Sequence, residues 1–233
     1  MSKDTLTLIV LVFGCINLTV IVAALIYYVH SRLKKRIRQN KVNHFGDSAE
    51  KKVIEFLKKS FPKATVMDSV YLKTPSGLTE LDILMPCERG IFIIEVKSHN
   101  GYIVTGGNFW TQHWRDKVIR FHNPVHQNNS HKVALETVFR KRQSLASLPV
   151  YTVVVFTSSN VSFSQNTKDV IKLSSLYAYI RRKKQDKRMT REMIRKVERF
   201  ISDNMETSRI RQNQHKRKIY QRNSKKRAYR FNR

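Results

Sequence analysis

The chain has 233 residues, with 45 lysines and arginines against 17 aspartates and glutamates, a formal net charge of +28. That length holds one soluble domain of ordinary size plus extra elements, and a field that strong favours polyanions, either nucleic acid or anionic lipid head groups. The two cysteines, Cys15 and Cys87, exclude a disulfide framework and a CxxC metal site and fit a reducing compartment.

Thr5 to Val29 is almost unbroken apolar sequence, interrupted only by small or weakly polar residues such as Thr7, Gly14, Asn17 and Thr19. About 20 apolar residues in a helix cross the hydrocarbon core of a bilayer, so residues 1–30 are predicted to be a transmembrane anchor. Tyr27 and Tyr28 close the run, where amphipathic rings favour the interface. Arg32, Lys34, Lys35, Arg36 and Arg38 follow at once, against only Lys3 and Asp4 before it. The positive-inside bias then places the N-terminus outside and the C-terminal part in the cytoplasm. A cleaved signal peptide would instead have its basic residues first, a shorter apolar core and a small-residue cleavage site.

Residues 31–45 form a basic juxtamembrane linker or helix, able to lie on anionic lipid at about 1 kcal/mol per Lys or Arg. Mixed charge and apolar periodicity begin at Gly46 and last to about Ile180, which marks the folded domain (46–180). A helix is predicted over Asp47–Ser60, with Ala49, Val53, Phe56 and Leu57 on one face. Val66–Lys73 and Thr79–Met85 read as strands joined by a Pro75-Ser76-Gly77 turn. Ile91–Lys97 is β-branched and aromatic enough for a central strand, and Tyr102–Thr105 is a shorter one closed by Gly106-Gly107.

Asn123-Pro124 predicts a helix start, with asparagine as N-cap and proline at the first helical position, running to about Arg142. Val150–Thr157 is a further strand and Ser174–Arg182 a short helix. Residues 181–206 form a basic amphipathic helix with Met193, Ile194, Val197, Phe200 and Ile201 on its apolar side. Residues 207–233 lose hydrophobic pattern and are expected to be a disordered basic tail. Tyr220, Tyr229 and Phe231 stand among its basic residues, which suits flexible polyanion binding, with membrane adhesion as the rival reading.

Three acidic residues and one lysine stand out because they are charged where strands are otherwise apolar. Along Thr79–Met85 alternation puts Leu81, Ile83 and Met85 on one face and Glu80 and Asp82 on the other. In the next strand Ile91, Ile93, Glu95 and Lys97 share a face. If the two strands pair as a hairpin, Asp82, Glu95 and Lys97 converge. Two carboxylates can hold Mg²⁺ or Mn²⁺, hard cations that prefer oxygen ligands and keep several waters. Such a metal activates water and offsets charge on a phosphodiester, while a lysine nearby orients the nucleophile or offsets developing charge. The competing reading of Glu-x-Lys is a solvated strand face with a weak ion pair.

The stretch from Gly46 to about Val138 resembles the NERD (nuclease-related) domain of the PD-(D/E)XK nuclease superfamily. The matching blocks are Gly46-Asp47-Ser48-Ala49-Glu50, Glu80-Leu81-Asp82, Gly90 to Lys97 with Gly101, Trp110-Thr111-Gln112, and Phe121 to Gln127 with His131. The resemblance implies an α/β, restriction-endonuclease-like core, a central mixed sheet flanked by helices, with Asp82, Glu95 and Lys97 as its active-site signature. It implies further site roles for Glu50 and Gln127. Ala49 departs from the commoner glycine before Glu50.

Several residues keep two readings. Asp47 and Glu50 have capping-box spacing. Gln127 and His131 lie one helical turn apart, facing substrate or merely pairing on a helix surface. Trp110 and Trp114 stack on bases or pack in the core. The expected function is a membrane-anchored, cytoplasm-facing nuclease that uses Mg²⁺ or Mn²⁺ on nucleic acid, DNA foremost. The alternative is a non-catalytic scaffold binding nucleic acid or a partner at the membrane.

Overall fold

A computed structural model describes the backbone of residues 3–183 and 188–231, and the side chains of residues 20–34, 46–183, 188–219 and 221. The chain divides into two units, Met1–Asp47 and Ser48–Arg233.

In the first unit the backbone is helical, as part of α1 (Lys3–Ser60). Val20, Ile21, Val22, Leu25 and Ile26 are all exposed. Arg32 Nε donates to the Tyr28 hydroxyl at 3.0 Å, and its guanidinium lies 5.2 Å from that ring's centroid. Among the described residues no helix is long and apolar enough to cross a membrane. The side chains of residues 5–19, most of the predicted span and including Cys15, lie outside the described residues. So do those of 35–45 in the basic stretch, and Tyr220, Tyr229 and Phe231 near the end. Because α1 runs through Asp47, that residue is no helix start and the capping-box reading of Asp47 and Glu50 falls.

The second unit holds two sheets. β1 (Met67–Thr74), β2 (Gly77–Cys87), β3 (Gly90–Lys97), β7 (Val150–Phe156) and β9 (Val170–Lys172) form the first, in the order β1-β2-β3-β7-β9. β1, β2 and β3 pair antiparallel, whereas β3, β7 and β9 pair parallel. β4 (Gly101–Val104), β5 (Phe109–Trp114), β6 (Lys117–His122) and β8 (Val161–Phe163) form the second, ordered β6-β5-β4-β8. This mixed α/β architecture, sheets flanked by helices, fits a restriction-endonuclease-like core, with two sheets in place of the single one expected.

Alternation along β3 builds both cores of the first sheet. Ile91 and Ile93 pack with Leu135, Val138 and Phe139 of α2 (Pro124–Phe139) and Val197, Phe200 and Ile201 of α5 (Arg191–Asn204). Phe92, Ile94 and Val96 pack on the other side, with Ala49, Val53 and Leu57 of α1 and with Leu176 and Ile180 of α4 (Leu176–Arg182). A strand buried on both faces reads as a continuous apolar run, which is why β3 was conspicuous.

β2 departs from strict alternation. Leu81 packs with Val70, Leu72 and Leu84, while Ile83 and Met85 join the opposite core. The three were expected on one face. Ser69, on the partner strand at the level of Asp82, takes a left-handed φ of 48°, and the pleat changes sides there.

α2 starts as predicted: Asn123 accepts from Val125 N at 2.9 Å, with Pro124 as the first helical residue. Its side chain also donates to the Gly107 carbonyl at 2.7 Å, tying the helix start to the second sheet. The helix ends at Phe139 and a separate turn, α3 (Gln143–Ala146), follows. Where a disordered tail was expected, α6 (Arg209–Phe231) is helical. Its first turns are held by Glu206, which is buried, receives Ser208 N at 2.9 Å, and donates its own N–H to the Tyr71 carbonyl at 2.7 Å.

Candidate active site

The hairpin of β2 and β3 sets the site. Ile83 pairs with Ile94 and Leu84 with Ile93, so Asp82 stands one step past that ladder, across from Glu95. Its Oδ2 accepts from Val96 N at 2.8 Å, which anchors the carboxylate to the β3 backbone. Glu95 is 1% exposed, and its Oε1 receives Lys97 Nζ at 2.5 Å. Glu-x-Lys spacing makes this contact possible, since residues two apart share a strand face. Glu95 is buried and Lys97 partly buried, unlike the solvated surface pair of the competing reading.

Electrostatics follow from that crowding. Asp82 is half-buried by surface, yet loss of water around its carboxylate, and then repulsion from Glu95, push its pKa up from 3.8 to about 7. Lys97 and the Val96 N–H oppose the shift without cancelling it. Burial alone would lower Lys97. Attraction to Glu95, Asp82 and Glu50, with the hydrogen bond to Glu95, outweighs it and holds the lysine above its ordinary value. Glu50 therefore acts on the cluster through its charge, from the α1 helix.

α2 supplies the other wall. Its buried residues include Asn128, His131, Leu135, Val138 and Phe139, one stripe at helical spacing that begins polar and ends apolar. Asn128 Nδ2 donates to the carbonyls of Ile93 at 3.2 Å and Val153 at 3.0 Å, clamping the helix across β3 and β7. One turn on, His131 Nδ1 lies 2.9 Å from Thr79 Oγ1, and Nε2 lies 3.6 Å from Glu95 Oε2. Burial, then the charge of Lys97, lowers the His131 pKa to about 4, so the ring is neutral at pH 7 and this is no ion pair. Either ring tautomer can serve the Thr79 contact, since the hydroxyl can donate or accept.

The structure thus brings Asp82, Glu95 and Lys97 together, with Glu50 in electrostatic reach. Gln127 is half-buried on α2 beside the Asn128–His131 stripe, and among the described residues no hydrogen bond joins it to the cluster. Trp110 is 1% exposed and stacks on Phe156 at 6.5 Å, a core residue and not a base-stacking one. Sequence reasoning missed Asn128 and Thr79. The signal for Asn128 was there, at positions three and seven before His131 and Leu135, but polar residues on an apolar stripe are easily assigned to the surface.

Among the described residues, no group of three or more His, Cys, Asp or Glu side chains is gathered so as to hold a metal ion. A hard divalent cation needs fewer, because one or two carboxylates suffice when waters complete its shell. Among the described residues Glu95 Oε2 is buried without a hydrogen-bond partner, and the charge of Glu95 helps push the Asp82 carboxylate toward protonation. That donor pair fits a divalent cation.

These groups lie within a segment of recognisable kind. Residues 45–157 match the family model of the nuclease-related domain, NERD. An uncharacterized protein of Bacillus anthracis is 30% identical over 146 residues, which cover 61% of this chain and 65% of that protein. The chain therefore spans just under two thirds of that relative's length. No solved structure matches the chain.

Proposed function

We propose that this protein is a membrane-anchored, metal-dependent phosphodiesterase that cleaves nucleic acid, DNA foremost, on the cytoplasmic side. The observation that carries the chemistry is the half-buried Asp82 across from the buried Glu95, with Lys97 hydrogen-bonded to Glu95 and attracted by both charges. A buried polar cluster with an unpartnered carboxylate oxygen costs stability, and a site for chemistry accounts for it.

Asp82 and Glu95 would hold Mg²⁺ or Mn²⁺, which lowers the pKa of a bound water and offsets charge on the phosphodiester. Lys97 keeps its proton, so it orients the attacking oxygen and offsets charge on the phosphoryl group as it develops. His131, neutral and braced by Thr79, keeps the Glu95 carboxylate in place from the helix side. Asn128 holds that helix to the strands. Glu50 supports the charged state of Lys97, and Gln127 at the helix flank stands ready for substrate.

The anchor rests on a separate observation. Residues Val20 to Val29 of the helix are almost wholly apolar and, among the described residues, exposed, and lipid is the environment that suits such a face. Tyr28 and Arg32, paired at its basic end, have the chemistry of an interfacial anchor.

The test is cleavage of single- and double-stranded DNA and RNA by the full chain in detergent, with Mg²⁺, Mn²⁺ or EDTA. Metal-dependent cleavage is expected. No cleavage of any of the four with either metal leaves the second reading, a non-catalytic binding scaffold.

A further inference from the structure

We propose that the outward face of the second sheet is a stacking platform for single-stranded nucleic acid, a proposal that rests on the nucleic-acid reading above. The inner face of this sheet is spoken for. Ile103 and Trp110 pack against Val154 and Phe156, and Gln112 Nε2 bonds the Asn100 carbonyl at 2.7 Å. Side chains alternate along a strand, so the neighbours of these residues point the other way.

Those neighbours are unusual for a solvated face. Tyr102 pairs with His113, His113 with Val118, and Phe109 with His122, and directly opposed residues share a face. Tyr102 is 46% exposed and Val118 66%. The Tyr102 and His113 rings are 6.4 Å apart, those of Phe109 and His122 4.5 Å, and the Arg120 guanidinium lies 4.8 Å from the Phe109 centroid. Among the described residues of β4, β5 and β6 there is no aspartate or glutamate.

The chemistry selects the ligand. This face offers rings and a guanidinium beside the exposed Val104 and Val118, and its strands carry no carboxylate, which suits a polyanion that presents unpaired bases. Bases stack on aromatic faces with little regard to sequence, while arginine meets the phosphates. Only unpaired bases expose those faces, so a duplex would gain little here. The platform is also well placed. Its first strand begins at Gly101, four residues after Lys97, and a Cβ at Gly101 would collide with the His113 carbonyl and the Trp114 ring. That close approach fixes the bend by which the strand bearing Lys97 runs on into the platform.

The experiment uses the full chain in detergent with EDTA, and fluorescence anisotropy of a labelled oligothymidylate and of a duplex of equal length. Tyr102→Leu keeps apolar area and removes the ring. It should weaken single-strand binding about fivefold or more, the lower end of the worth of one base stack, and leave duplex binding unchanged. Tyr102→Phe should bind as the parent does, and His113→Ala should weaken single-strand binding in the same sense as Tyr102→Leu. Hydrolysis of bis(p-nitrophenyl) phosphate with Mn²⁺ reports the chemistry separately. If neither that diester nor any of the four nucleic acids is cleaved while the Tyr102 effect holds, the nuclease reading fails and the platform stands. Unchanged single-strand binding by Tyr102→Leu overturns the platform, as does an equal loss on single strand and duplex.

Discussion

β3 in the first sheet carries Glu95 into the interior, where among the described residues Glu95 Oε2, His131 Nε2 and Asn128 Oδ1 are buried without hydrogen-bond partners. β5 in the second sheet also buries a polar side chain, but Gln112 finds both the carbonyl and the side-chain oxygen of Asn100. Trp110 Nε1 is that strand's own unpartnered atom, on a side chain that otherwise fills the core. Burying an unmet polar atom costs about 1–3 kcal/mol. The first sheet tolerates several beside paired carboxylates, where a ligand would meet them, and the second keeps its interior for packing. The first sheet holds a polar cluster that costs stability, and the second fills its interior with packed side chains.

The sharpest way to break this contrast is in the second sheet. Trp110→Ala should destabilise the domain by about 3–5 kcal/mol, the range for a buried aromatic, read by thermal or denaturant unfolding. A loss below about 1 kcal/mol would deny that sheet its structural role. Asn128→Ala removes the clamp on the Ile93 and Val153 carbonyls and should cost about 1–3 kcal/mol. Metal-dependent cleavage should fall with it, because His131 loses its bearing on Glu95.

Asp82→Asn should act in the opposite direction on stability. With a folded pKa of about 7 against an ordinary 3.8, the folded protein keeps a proton between those values that the unfolded chain has released. Stability of the metal-free parent therefore falls as pH rises from about 4 to about 7, and the deficit is complete above that. The asparagine variant lacks this slope. It should be more stable than the parent by about 1 kcal/mol or more at pH 8, with the gain shrinking toward pH 4. Melting curves of both proteins in EDTA across that range decide it. Val118→Thr, on the exposed face of β6, should shift stability by no more than about 0.5 kcal/mol.

Asp82, Glu95 and Lys97 were legible in the sequence because charge interrupts strongly apolar strands, and alternation then places them. The change of sides at Leu81 was not, since it depends on Ser69 in the partner strand and its left-handed backbone. β5 and β6 escaped notice because apolar residues point both ways, Trp110 inward and Val118 outward, which blurs the period-two signal. β8 and β9 have three residues each, too few for any period. The helix α6 was hidden for another reason. Glu206 and Tyr71 fasten its start, and Lys216, 3.4 Å from Glu80, adds a further tie, contacts that composition cannot reveal. Tertiary partners, not propensity, order that segment.

The central claim is that Asp82, Glu95 and Lys97 form a hydrolytic site, and Lys97 is where it is most exposed to test. Single-turnover cleavage of DNA with Mg²⁺ should be compared for the parent and Lys97→Ala at equal folded concentration. The account predicts that the parent cleaves, EDTA stops it, and the variant loses at least about 100-fold in rate, the loss typical of removing one charge-stabilising group. A folded Lys97→Ala protein that cleaves at the parent's rate would contradict it.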